Sequence, residues 1–147
     1  MLQRPNGVPF TTGRSSYLDH IEGHPHNRIC VSVRFAQLPR TLAVIDTGAP
    51  WCVLSKEQAE VEDSNYRQTA TEAIELVIRR DQVSGVLVRW PVTFCAEEGD
   101  DLIIESTIFI PDDDLPLPNF IGLDGLLNRI NFAVDPQKRH FFFGVEP

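Results

Sequence analysis

Positive charge is scarce in this chain. Thirteen Lys and Arg stand against 21 Asp and Glu in 147 residues, a formal net charge of -8 with a pI near 4.9. A protein that coats phosphate needs clustered cations, so nucleic acid is not an expected partner. Long apolar runs are also missing: nothing approaches the ~20 residues of a membrane-crossing helix. Residues 1–13 hold no apolar stretch resembling a signal peptide. The expectation is a cytoplasmic protein with no membrane partner. Cysteine is sparse, and Cys30, Cys52 and Cys95 are odd in number with no CxxC spacing to suggest zinc or a redox centre. They read as buried free thiols, because unpaired cysteine behaves as a small hydrophobe.

What is present suits one globular domain. Hydrophobic residues make up 42% and charged residues 23% of the chain, ordinary usage for a folded protein, and the length allows one core. Residues 1–27, rich in Pro, Gly, Ser, Thr and His, show no sustained period and read as an irregular N-terminal arm ahead of a domain over 28–147. Ile29, Val31, Val33 and Phe35 then alternate with Cys30, Ser32 and Arg34, the period of a half-buried strand. Residues 41–46 continue as a second strand across a turn at Leu38-Pro39-Arg40. A short strand over 51–54 precedes Ser55, placed to cap a helix with Gln58 reaching back. Strands are predicted over 73–78, 86–94 and 102–110, with Pro91 at a sheet edge or bulge because it lacks an N–H. Residues 111–118 form a loop, 124–128 a helical turn, and 132–134 and 140–145 flank a turn at Asp135-Pro136. The predicted class is all-β, a small closed barrel or sandwich with one or two short helices.

One strand ends on chemistry. Leu42-Ala43-Val44-Ile45 runs into Asp46-Thr47-Gly48-Ala49, so a carboxyl leaves a greasy setting that favours its protonated form. Such a group serves as general acid or base, and two of them sharing a proton activate a water against a peptide carbonyl. Gly48 lets backbone pass close by, and Thr47 brings a hydroxyl. Asp and Gly are also common turn formers, so the tripeptide alone is a weak signal.

A second segment, Asn119-Phe120-Ile121-Gly122-Leu123-Asp124, sets two bulky apolar residues before a glycine and a short helix. With Asp46-Thr47-Gly48-Ala49 upstream, the chain resembles the retropepsin-like aspartic proteases over residues 28–144. Asn131-Phe132-Ala133-Val134-Asp135-Pro136 is similar to the strand and turn that follow the helix in cellular and bacterial members. The resemblance implies a closed, mainly antiparallel barrel in which Ile121 and Gly122 pack across the Asp46 loop. It also implies an aspartic endopeptidase with Asp46 as catalytic acid, without cofactor, acting on peptide or protein substrates. Thr47 of each copy would hydrogen-bond across a two-fold axis. Only one Asp-Thr-Gly exists here, so a homodimer is needed to assemble two carboxyls.

A flap is implied over the hairpin 74–90, with its tip at Arg79, Arg80, Asp81, Gln82, Val83, Ser84 and Gly85. That tip departs from the glycine-rich flaps of retroviral enzymes. A second departure is the absence of their acid–arginine pair: Pro50 and Leu123 stand at those places, so neither charge is stranded and other contacts must hold the dimer. Phe132, Phe141, Phe142 and Phe143 are candidates, although membership of the intramolecular core is the preferred reading, since phenylalanines are commonly buried. His20, His24 and His26 read as a solvated cluster, and Asp112-Asp113-Asp114 lack the alternating spacing of a calcium loop, so no metal site is expected. The rival reading is a non-catalytic domain of the same fold used for dimerisation or peptide capture.

Overall fold

The computed structural model describes residues 1–24 and 27–147. In chain order the elements are β1 (Gly13–Ser16), β2 (Cys30–Phe35), β3 (Thr41–Ile45), β4 (Cys52–Val53), α1 (Lys56–Glu62) and α2 (Tyr66–Thr69). There follow β5 (Glu72–Ile78), β6 (Asp81–Phe94), β7 (Glu98–Gly99), β8 (Leu102–Pro111), β9 (Asn119–Ile121), a 3-10 turn (Leu127–Arg129), β10 (Asn131–Asp135) and β11 (His140–Gly144).

Alternation drives the barrel. Along β2, Val31, Val33 and Phe35 are fully buried while Arg34 is exposed, as a two-residue period requires. The larger sheet runs β2-β3-β9-β4-β8-β6-β5, and pairing of β2 with β6 closes it. Two pairs are parallel, β3 with β9 and β4 with β8, and the others are antiparallel. The closed, mainly antiparallel, all-β class is therefore observed. Closure leaves β5 as a free edge beyond β6.

Pro91 lies inside β6, where its carbonyl accepts from Ala36 N at 2.8 Å. Nitrogen and carbonyl of one strand residue point the same way, so its nitrogen faces the turn at which β2 ends, and no ladder bond to β8 is lost. Ser55 caps α1 as predicted, its hydroxyl accepting from Gln58 N at 3.2 Å. Asn119 Nδ2 in turn donates to Gln58 Oε1 at 2.8 Å and fastens that helix to β9. The single turn of α2 had no counterpart in the sequence reading.

One expectation is corrected by long-range pairing. The arm read as irregular contains β1, which pairs with β11 on one side and β7 on the other. Gly-Arg-Ser-Ser has no apolar period of its own; it is held by backbone bonds and close fit. A Cβ on Gly13 would stand 2.3 Å from Asp100 O and 2.4 Å from the Phe143 ring. The C-terminal phenylalanines follow the core reading. Phe141 and Phe143 are fully buried, and Phe94 stacks on Phe143 with centroids 5.3 Å apart. Phe132 packs on Phe141 at 6.0 Å. Phe141 and Phe143 are intramolecular core, and half-buried Phe132 packs against it; Phe142 turns to the opposite face of β11, half-buried.

His20 is exposed and His24 half-buried, while His26 lies outside the described residues. Among the described residues no group of three or more His, Cys, Asp or Glu is placed to hold a metal ion. None of the described helices is long and apolar enough to cross a membrane.

All three cysteines are free and buried. Burial pushes the Cys52 thiol from 9.0 up to about 12 and also raises Cys30, because a thiolate loses its hydration in the core. A raised folded pKa means stability that is intact below pH 9.0 and drains away as pH climbs toward about 12. Thermal melts across that range are expected to fall more steeply for the wild type than for Cys52→Ala, which has no thiol to ionise on unfolding; parallel curves would refute this.

Candidate active site

β3 delivers Asp46 to the barrel mouth. Ala43 and Val44 are buried, and Asp46, the first residue past the strand, is half-buried with Thr47 and Gly48 exposed beyond it. Its backbone is pinned on both sides: Asp46 N donates to Ile121 O at 3.0 Å, and Asp46 O accepts from Ala49 N at 3.2 Å. Asp46 Oδ1 accepts from Gly48 N at 2.9 Å. That turn orients the carboxyl and, among the described residues, leaves Oδ2 without a protein partner and the carboxyl outside any ion pair.

The second segment sits against this loop. Ile121 is fully buried. A Cβ on Gly122 would lie 2.2 Å from Trp51 O and 2.9 Å from Ala49 O, so only glycine admits such close backbone approach. Leu123 N donates to Ala49 O at 2.7 Å and Gly125 N to Pro50 O at 3.0 Å. At Pro50 and Leu123, where the expected ion pair is lacking, backbone hydrogen bonds tie the two loops within the chain. The structure thus brings Asp46, Thr47, Gly48, Ala49, Ile121 and Gly122 together.

The hairpin of β5 and β6 stands over them with a shorter tip than the sequence indicated. Ile78 pairs with Asp81, so the turn consists of Arg79 and Arg80 alone, at φ 51 and 72. This is the geometry of a tight two-residue hairpin turn, normally marked by Asn-Gly; Arg-Arg carries no such signal. Each non-glycine residue there costs about 1–2 kcal/mol of backbone strain. Asp81, Gln82, Val83, Ser84 and Gly85 belong to β6. Gly85 pairs with both Ile74 and Pro111, far from the tip, and its Cβ would meet Ile110 O at 2.4 Å. Its glycine serves packing at the hairpin base.

Between hairpin and loop lies a cleft of about 260 Å3. Asp46 lies at its wall, and Trp51, Val53, Leu76, Ile78 and Phe120 make it apolar. Alternation along β5 turns Ile74, Leu76 and Ile78 to the same side, a period legible in the sequence. Arg28 and Arg79 also line the cleft. Arg28, from the segment preceding β2, was missed because no local pattern predicts which loop reaches a cleft. The arrangement sets one half-buried carboxyl, a group able to act as general acid or base, at the wall of an apolar cleft.

No protein-family model matches the sequence, and no curated protein matches it. Solved structures do resemble this one. A retropepsin-like aspartic protease from Rickettsia conorii superposes with a TM-score of 0.56 at 15% identity, covering 88% of this chain and 98% of that one. The retroviral protease-like domain of Ddi1 from Leishmania major gives 0.52 at 16% identity, covering 82% and 94%. The chain has the retropepsin-like fold.

Proposed function

We propose that this chain is an aspartic endopeptidase working as a homodimer, with Asp46 of each copy meeting across a two-fold axis. The observation that carries the reading is the Asp46 carboxyl itself, fixed by Gly48 N at 2.9 Å with its other oxygen free, beneath a hairpin and beside an apolar cleft. One chain brings one such carboxyl, and the chemistry uses two. In the dimer the pair holds one proton. The ionised member takes a proton from water, the oxygen attacks the peptide carbonyl, and the protonated member hydrogen-bonds the carbonyl oxygen. Collapse of the tetrahedral diol breaks the C–N bond as a proton passes to the leaving nitrogen. Water is the nucleophile, so no acyl-enzyme forms. Thr47, exposed beside the axis, bonds to its mate and steadies the loops.

A transition-state mimic of the statine type tests this, since mimics bind a competent dyad preferentially. Wild type is expected to gain several degrees in melting temperature with the mimic and to sediment as a dimer, while Asp46→Asn gains little. A chain that cleaves peptides while sedimenting only as monomer refutes the dimer; equal stabilisation of both proteins refutes the dyad. The second reading, peptide capture without cleavage, is favoured by the free edge of β5 beside the cleft, to which an extended segment can add as a strand. It predicts peptide binding that survives Asp46→Asn without turnover by either protein.

A further inference from the structure

The cleft has a cationic end that a purely apolar substrate does not use. Arg28 and Arg79 both line the main cleft and, with Phe120, also line the adjoining hollow formed by Ile21, His24 and Pro118. The two guanidinium-bearing residues therefore stand where the apolar cleft opens into its neighbour. Both are exposed, and among the described residues neither takes part in an ion pair. Among the described residues, Asp46 is the single acidic one lining either hollow. This is a local concentration of positive charge on a protein with a net charge of -8. Arg79 also holds a position at φ 51 that glycine or asparagine fills without strain; an arginine kept at such a backbone cost is a pointer to side-chain use.

We infer that the cleft selects peptides carrying an acidic residue beside a bulky apolar one, with Arg28 and Arg79 as the specificity-determining pair. The apolar side chain enters between Trp51, Leu76 and Phe120, and the neighbouring carboxylate lies against the two guanidinium groups. A fork of fixed N–H donors suits a carboxylate better than a point charge. A basic residue at the same place meets two like charges and is disfavoured. The inference deepens the protease reading, since it names the substrate class of that site, but its test separates the two.

The probes are decapeptides with one shared apolar centre, in which Glu, Gln or Lys is moved through the flanking positions. The full chain is assayed in two ways: cleavage by the wild type, and fluorescence-polarisation binding to Asp46→Asn. At one flanking position Glu is expected to exceed Lys about fivefold in kcat/KM and in affinity, the scale of two partly exposed charge contacts. The preference should shrink between 50 and 500 mM salt through screening. Arg28→Gln or Arg79→Asn each reduces it, asparagine being chosen because it tolerates positive φ, and the double charge reversal Arg28→Glu with Arg79→Glu turns it toward Lys. Cleavage and binding indifferent to charge overturn the inference and leave the protease reading standing. Arginine-dependent binding without cleavage of any peptide supports the inference and sinks the protease reading. Absence of both cleavage and charge-dependent binding overturns both.

Discussion

Replacing Asp46 by Asn is expected to lower peptide cleavage roughly 10⁴-fold, the loss that follows removal of an essential acid–base group, while the variant melts no lower than the wild type. The carboxamide is nearly isosteric, and its oxygen still accepts from Gly48 N, the 2.9 Å contact that shapes the loop, so the fold has no reason to fail. On the proposed reading, the variant cannot hold or pass the proton that the two carboxyls would share. Cleavage and melting measured side by side for both proteins check each step; equal cleavage reduces Asp46 to a turn residue.

Gly122→Ala should produce the largest stability loss of any single methyl group added near the site. The new Cβ would stand 2.2 Å from Trp51 O and 2.4 Å from Trp51 C. Both are backbone atoms that cannot rotate aside, so residues 49–51 must move. That movement pulls on the bonds from Leu123 N to Ala49 O and from Gly125 N to Pro50 O and shifts the loop that carries Asp46. Overpacking of this kind costs about 3 kcal/mol, or roughly 10 °C of melting temperature in a chain of this size. Activity should fall along with it, because a displacement near 1 Å at the reacting group is enough to lose much of the rate. Gly48→Ala is the control: its Cβ meets one atom, Asp46 Oδ1, at 3.2 Å, so stability should change much less. Scanning calorimetry of the two variants distinguishes them, and a Gly122→Ala protein that melts like the wild type would contradict the packing of these loops.

The sequence by itself determined what rests on near neighbours. The period-two apolar residues of β2 mark a strand with one buried face, Ser55 and Gln58 mark a helix start, and an apolar strand ending in Asp46-Thr47-Gly48 marks a carboxyl at a barrel mouth. Each follows from contacts within a few residues, where alternation, capping and turn chemistry act directly. Tertiary structure decided the remainder. Gly13-Arg14-Ser15-Ser16 became a strand through β11 and β7, Phe141 and Phe143 became core through Phe94, and Arg79-Arg80 became a tight turn because the β5–β6 register left two residues between paired ends. Arg28 reached the cleft as part of the same long-range arrangement. In all four the deciding partner lies more than ten residues away or is set by strand register, and no local pattern carries that information.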